Sequence, residues 1–246
     1  MDLGNTGINS VGQALTSLDF DKTRPSFIFY KLFIMKIQTV NYQDYLQQIP
    51  KKGRHILAQQ TQNEILVYQA FNPNIARYAV DNQRFGGSHY SFNRMTWVKP
   101  NFLWMMYRCG WASKHNQECV LGIWITKTGL ETILEAAAYS SYQADIYQTT
   151  DNWKTDLTNK AVRLQWDPDH DIYGNKEERR AIQLGMKGRI LTQFNEEMIC
   201  KIVDMTSFVK TQKERIDNRQ LKQLKVPSES IFKSKNDDLN MFLKLD

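Results

Sequence analysis

Apolar and polar residues follow two kinds of pattern along this chain, and the two kinds predict strands and helices. Short stretches rich in β-branched and aromatic residues, such as NEILVYQAF at residues 63–71 and ECVLGIWIT at 118–126, predict buried strands. A stretch with apolar residues three and four positions apart, KTGLETILEAAAYS at 127–140, predicts an amphipathic helix. The succession predicted along the chain is roughly β-α-β-α-β-α-β-β-α-β.

The second half of the chain supplies the remaining predicted strands. These are KAVRLQWD, RRAIQLGM and MICKIVDMT, and KGRILTQFNEE is predicted as a short helix between the last two. Residues 145–158 form a polar insertion without a clear period.

Prolines mark where two of the predicted helices begin. Asn72 stands before Pro73, which is a favourable helix start. Pro100 cannot continue a central strand but suits the first turn of a helix. The sequence therefore predicts a strand at residues 95–98 and a helix at 101–109, which Gly110 ends.

These elements predict an α+β fold with one domain, in which helices flank a mixed, mostly antiparallel sheet. The domain is expected to cover residues 35–209. Residues 1–34 are expected to be a loose N-terminal extension, because NTGINSVGQ is polar and contains glycine. Residues 210–246 are predicted to be a polar tail or helix outside the core.

The composition of the 246 residues excludes several classes of protein. Three cysteines without a C-x-x-C pair argue against a disulfide framework and a cysteine-rich zinc site, and they favour a cytoplasmic location. No apolar run is long enough to span a membrane, so no membrane partner is expected. The formal net charge of +6 permits an anionic partner such as a nucleotide or nucleic acid.

The segment RMTWVKPNFLWMMYRCGW, residues 94–111, combines cations with indole rings. It contains three of the six tryptophans of the chain. Indoles can stack on a base or a nicotinamide ring, and arginine pairs with phosphate through its planar guanidinium. Arg94, Lys99 and Arg108 are therefore candidates for binding a pyrophosphate. The alternative is that the tryptophans are core residues and that the cations lie on a solvated face.

Other polar residues give weaker indications of a binding site. Tyr68 and Gln69 lie in a predicted strand, where they either line a pocket or satisfy backbone groups. The four histidines have no metal-ligand spacing, and no metal is expected. DPDHDIYGNKEE has acidic residues spaced as in a calcium loop, but Ile172 stands where that loop requires glycine. A polar turn between strands is the preferred interpretation.

Several blocks in order resemble domain-of-unknown-function family 4291. They are VYQAFNPNIARYAVDNQRF, RMTWVKPNFLWMMYRCGWA, QECVLGIWIT, VRLQWDPD and RRAIQLGM. The family pattern has serine where this chain has Asn101 and Cys109, and neither change interrupts the predicted strand and helix. The resemblance implies no established activity.

The strand, proline and helix beside a cation also resemble the second-strand region of ADP-ribosyltransferases, notably the DNA-modifying toxin type. Those enzymes split the nicotinamide bond of NAD and pass ADP-ribose to an acceptor. The resemblance implies an ADP-ribosyltransferase-like fold and NAD as cofactor. It places Tyr68 and Gln69 on the first strand, Trp97 and Lys99 on the second, and Gln183 on the late strand.

This chain departs from the ADP-ribosyltransferase pattern at Gln183, where the family has glutamate. A glutamine can hydrogen-bond a ribose hydroxyl but cannot neutralise a developing positive charge. Either a carboxylate comes from elsewhere, as from Glu177 or Glu178, or the protein binds its ligand without turnover. Asp167, at the end of VRLQWD, is a further polar group that could enter the pocket.

Three hypotheses follow from the sequence. The first is an NAD-using, ADP-ribosyltransferase-like enzyme that handles a nucleotide or dinucleotide, with a nucleic acid or protein as acceptor. The second is a non-enzymatic module that binds nucleic acid, and the third is a structural or partner-binding protein. The first assigns catalysis to Gln183 and Lys99. It assigns cofactor binding to Tyr68, Gln69, Arg94, Trp97 and Arg108.

Overall fold

The computed structural model describes residues 37–246, so the extension expected at residues 1–34 lies outside the described residues. The strands are β1 (Thr39–Asn41), β2 (Gly53–Arg54), β3 (Ile56–Ala58), β4 (Glu64–Phe71), β5 (Thr96–Val98), β6 (Cys119–Thr126), β7 (Ala137–Tyr139), β8 (Val162–His170), β9 (Lys176–Met186), β10 (Ile199–Asp204), β11 (Lys225–Pro227) and β12 (Ser230–Phe232). The helices are α1 (Tyr42–Gln48), α2 (Pro73–Asn82), α3 (Phe102–Cys109), α4 (Lys127–Glu135), α5 (Thr150–Asn159), α6 (Arg189–Gln193), α7 (Thr206–Asp217) and α8 (Asp237–Leu243).

A three-stranded antiparallel sheet contains the two most apolar predicted strands. Its order is β10-β6-β4, and Tyr68 of β4 lies opposite Gly122 of β6. Both strands are buried along most of their length, which explains why they lack the alternation of a strand with one wet face.

A five-stranded sheet provides the second layer of strands. Its order is β2-β9-β8-β7, and β5 also pairs with β9. The pairs β2–β9 and β7–β8 are parallel, while β8–β9 and β5–β9 are antiparallel. The acidic segment that resembles a calcium loop connects β8 to β9 as the turn of a hairpin, in agreement with the preferred interpretation.

The two sheets touch where β4 passes β5. The backbone N–H of Tyr68 donates to the carbonyl of Lys99 at 2.8 Å, and the N–H of Lys99 donates back at 3.1 Å. This is an isolated bridge, because β5 then pairs with β9 and β4 with β6. One apolar core contains residues of both sheets, among them Ile65, Ile123, Leu164 and Leu184.

The predicted helix boundaries are confirmed around the two prolines. Asn72 caps α2 by accepting hydrogen bonds from the backbone N–H groups of Asn74 and Ile75. Asn101 caps α3 in the same way through the N–H of Trp104, and Gly110 ends that helix with a φ of 60°. The helix α3 therefore starts directly after β5.

The α+β class and the mostly antiparallel pairing are confirmed, but the strands do not form one mixed sheet. The polar insertion at residues 145–158 also contains α5, which buries none of its residues. Without an apolar face, that helix gives no periodic signal in the sequence.

The segment after Val209 differs from the expected tail outside the core. Residues 37–246 form one compact unit. The strand β11 pairs with β1, and β12 pairs with β3. Phe232 and Leu243 belong to the apolar core. The segment is rich in lysine and aspartate because most of its residues face solvent, while a few apolar ones anchor it.

No helix within residues 37–246 is long and apolar enough to cross a membrane.

Candidate functional site

Polar side chains gather on one face of the five-stranded sheet. Along β8, Leu164 and Trp166 are buried, whereas Gln165 and Asp167 between them are half-buried. Gln165 pairs with Gln183 of β9 in the strand register, so the two glutamines share a face. The alternation of strand side chains thus separates a core face from a polar face.

A carboxylate lies at the centre of this polar face. Gln165 donates through Nε2 to Oδ1 of Asp167 at 2.9 Å, and Gln183 donates through Nε2 to Oδ2 at 2.9 Å. Both carboxylate oxygens are therefore held by amides from two strands. We call Asp167, Gln165, Gln183 and Lys99 the Asp167 cluster.

Lys99 is the cation of the cluster and is 93% buried, with 7% of its surface exposed. Its ammonium group donates to the carbonyl of Trp97 at 3.3 Å. Burial, followed by the charge of Arg108, lowers the pKa of Lys99 to about 7, although the Asp167 carboxylate acts in the opposite direction. At neutral pH this lysine is close to half protonated, which suits a group that exchanges protons.

Trp97 lies across Gly185, its partner in the β5–β9 register. A Cβ at position 185 would come within 2.7 Å of the indole and of the Met95 sulfur. Glycine is therefore required for this close packing. Trp97 is half-buried, so part of the indole still faces solvent beside the cluster.

Arg108 is exposed on the last turn of α3, and its guanidinium carbon lies 5.6 Å from the Trp104 ring centroid. Trp104 is buried and stacks at 5.3 Å on the His170 ring. The core alternative therefore holds for Trp104. Trp111 is also buried and meets Phe102 edge to face.

Gln69 fills the space that opens as β4 and β5 diverge. Its Nε2 donates to the Thr96 hydroxyl at 2.6 Å and to the Trp97 carbonyl at 3.2 Å. Gln69 is buried and bridges the strands through its amide nitrogen, while its Oε1 has no hydrogen-bond partner among the described residues. The structure gives it a positioning role for β5.

Tyr68 is completely buried and meets Phe102 edge to face at 5.5 Å. Neither face of its ring is available to a ligand, so the structure does not support the assignment of Tyr68 to cofactor binding. The resemblance to ADP-ribosyltransferases makes that assignment from the place of Tyr68 on the first strand. A strand that is buried on both faces can carry a tyrosine there without any ligand.

Arg94 lies in a separate hollow of about 360 Å³ between the end of β4 and the start of β5. None of the four residues of the Asp167 cluster lines it. The structure thus joins Gln183 to Asp167 by a hydrogen bond and places Lys99 where the charges of Asp167 and Arg108 act on it. Trp97 contacts Lys99 through its carbonyl, and Arg94 lies elsewhere. The hollow is lined by Phe71, Asn72, Ile75, His89, Tyr90, Ser91, Arg94, Met95, Thr96 and Asn116.

Asp167 received only a minor place in the sequence-based assignment, and Gln165 received none. The alternation in VRLQWD is the signal that could have found both, because it puts Gln165 and Asp167 on the face opposite the apolar residues. Within the described residues, no group of three or more histidine, cysteine, aspartate or glutamate side chains could hold a metal ion.

Comparison with known families assigns most of the chain. The profile of the family Domain of unknown function (DUF4291) matches residues 55–232. The chain belongs to the DUF4291 family. The matched residues include β3 and β12, which pair with each other, so the DUF4291 domain extends beyond the expected boundary at residue 209. No curated protein matches the chain.

Proposed function

We propose that this DUF4291 protein binds NAD at the Asp167 cluster and transfers ADP-ribose to an acceptor. One observation carries the proposal. The amide of Gln183 stands where the resemblance expects a glutamate, and it donates at 2.9 Å to the carboxylate of Asp167 on the neighbouring strand. Asp167 thus supplies, from β8, the negative charge that Gln183 lacks.

The chemistry of the cluster fits each part of this reaction. NAD supplies the nicotinamide–ribose bond, which breaks with both electrons leaving on nicotinamide while the acceptor attacks the ribose carbon. Asp167 stabilises the positive charge that develops on the ribose. Lys99 in its neutral form accepts the proton that the acceptor loses, and its pKa of about 7 allows this at neutral pH.

Two residues beside the cluster serve binding. Arg108 is an exposed cation whose charge reaches Lys99, and a guanidinium pairs well with a pyrophosphate. The half-buried Trp97 offers part of an indole to the nicotinamide or adenine ring. Gln183 orients the ribose through its amide oxygen, because its nitrogen is engaged with Asp167.

Ligand binding and turnover test the proposal separately. At a concentration ten times its Kd, NAD is expected to stabilise the folded protein by about 1.4 kcal/mol, raising the melting temperature by about 3 °C. Arg108→Ala should abolish that shift without lowering the melting temperature of the free protein. Asp167→Asn should reduce nicotinamide release from NAD by about a hundredfold or more, since it removes charge stabilisation.

Asp151→Asn is the matched control, because Asp151 is exposed on α5. The substitution removes one negative charge, as Asp167→Asn does, but at a position outside the cluster. It should release nicotinamide like the unmodified protein. The absence of any thermal shift with millimolar NAD would contradict the proposal. Oligonucleotide binding that weakens steeply with salt, without an NAD effect, would instead support the nucleic-acid-binding hypothesis.

A further inference from the structure

A second polar hollow, of about 470 Å³, lies where β7 ends beside β8. Its lining combines two arginines with hydroxyl and amide side chains, and Gln165 is the one lining residue that also belongs to the Asp167 cluster. We call it the arginine hollow. It is lined by Arg54, Tyr139, Ser140, Ser141, Gln143, Leu164, Gln165, Trp166 and Arg180.

The strand register sets the two arginines side by side. Arg54 of β2 pairs with Arg180 of β9 in a parallel ladder. The alternation along β9 puts Arg180 on the same face as Ile182 and Leu184, which are buried. Arg180 thus follows Ile182 and Leu184 on the apolar face of β9, and Arg54 lies next to it on β2. Apolar side chains would otherwise be expected at these two positions.

Neither guanidinium is paired with a carboxylate among the described residues. Arg180 donates from one terminal nitrogen to the Trp166 carbonyl at 2.8 Å, and its buried Nε has no hydrogen-bond partner there. No hydrogen bond or ion pair of the Arg54 guanidinium occurs within residues 37–246. Two neighbouring arginines with unused donors repel each other unless an anion lies between them.

Two carboxylates from neighbouring segments have other direct partners. Asp145 forms an ion pair with Lys244, and the charge of Arg54 acts on it without an ion pair. Asp246 accepts the backbone N–H of Arg54 at 2.6 Å, so it does not pair with the guanidinium. Neither aspartate lines the hollow, which leaves the arginines as its charged groups.

Neutral donors complete the lining. Ser140 and Ser141 line the hollow, and Gln143 donates to the Ser141 hydroxyl at 3.2 Å. Arginines together with serine hydroxyls make the donor set that recognises phosphate, because a phosphate accepts several charge-assisted hydrogen bonds at once. We infer that the arginine hollow binds the phosphate group of a small phosphomonoester.

Calorimetric titration in phosphate-free buffer tests this inference, with inorganic phosphate, ribose 5-phosphate and ribose as probes. Saturable binding is expected for the two phosphates and none for ribose. Arg54→Gln should weaken phosphate binding about tenfold or more, because a charge-assisted hydrogen bond is lost. Its guanidinium forms no hydrogen bond or ion pair within residues 37–246 and acts on Asp145 and Tyr139 only through its charge, so the variant should keep nearly the melting temperature of the unmodified chain. Arg180→Gln should also weaken phosphate binding. This variant also loses the hydrogen bond to the Trp166 carbonyl, so a lower melting temperature is expected for it.

Arg77→Gln is the matched control, since Arg77 is exposed on α2 and does not line the hollow. It should bind phosphate like the unmodified protein. Equal affinities of the Arg54→Gln and Arg77→Gln variants would overturn the inference, as would an absence of phosphate binding. Phosphate binding is measured without NAD, so a failure of the NAD proposal leaves this result unchanged.

Discussion

Lys99 shows how burial changes the chemistry of a single residue. A lysine on an exposed strand would stay charged at neutral pH, whereas the surroundings of Lys99 lower its pKa to about 7. The carbonyl of Trp97 accepts a hydrogen bond from its ammonium group, and Cys109, followed by Asp167, acts to raise its pKa. The same residue is therefore a source of instability and a candidate proton acceptor.

The low pKa of Lys99 predicts a pH dependence of stability. Its ordinary value is 10.5 and its value in the folded protein is about 7, so the unfolded chain binds more protons between these limits. The free energy of unfolding should therefore rise with pH across this window, by about 2 kcal/mol between pH 7 and pH 9. Lys99→Met should lose this rise, as measured by urea unfolding at both pH values.

Lys187→Met is the control for this measurement, because Lys187 is exposed just after β9. Its stability should follow pH like that of the unmodified chain. A Lys99→Met variant with the same pH dependence as the control would show that Lys99 keeps an ordinary pKa.

The helix α3 depends on a carboxyl group from a distant part of the chain. Glu229, between β11 and β12, accepts the backbone N–H of Phe102 at 2.7 Å through Oε1. Its Oε2 accepts the Tyr45 hydroxyl at 2.7 Å and the Asn101 amide at 3.0 Å. Glu229 thus fixes the start of the helix that places Arg108 beside the Asp167 cluster.

Burial raises the pKa of Glu229 to about 8, although the hydrogen bonds from Tyr45 and Phe102 lower it. The ordinary value is 4.5, so the folded protein binds more protons than the unfolded chain between pH 4.5 and 8. The free energy of unfolding should fall as pH rises through this window, by about 2 kcal/mol between pH 5 and pH 7. Glu229→Gln should lose this fall, as measured by urea unfolding.

Glu196→Gln is a suitable comparison, since Glu196 is exposed. It should show the same decline with pH as the unmodified protein. If Glu229→Gln declined equally, the carboxyl group would not be the titrating group behind the effect.

At the scale of the whole molecule, the chain after Val209 packs on the apolar core. Leu243 of α8 is fully buried in the apolar core, while Met241 of the same helix is 66% exposed. A tail outside the core would bury neither residue. Substitutions at Leu243 and Met241 therefore distinguish a helix packed on the core from a tail outside it.

Leu243→Ala should lower the free energy of unfolding by about 2–5 kcal/mol, because it leaves a cavity in the core. Met241→Ala should change it by no more than about 0.5 kcal/mol. Chemical denaturation of both variants measures the difference. Equal and small effects would mean that α8 does not pack on the core.

Sequence patterns predicted about half of the helices and strands and only part of the site. The helix predicted at residues 127–140 ends at Glu135, and Ala137–Tyr139 form β7 instead. The strand and helix around Pro100 were predicted correctly, because the proline and Gly110 act through local backbone geometry. The placement of Lys99 near Gln183 was implied by the resemblance. Tyr68 was misjudged as a pocket residue, because a strand buried on both faces does not reveal which neighbour covers each side chain.

The sequence by itself determined the long strands, the helices around the two prolines and the family of this protein, because apolar periodicity and turn residues act over short stretches of chain. Tertiary structure alone decided the partners of the polar groups. The β8–β9 register joins Gln183 to Asp167, and Glu229 reaches Asn101 across 128 positions. Such contacts depend on how strands pair and how segments return to the core, and local patterns do not encode that.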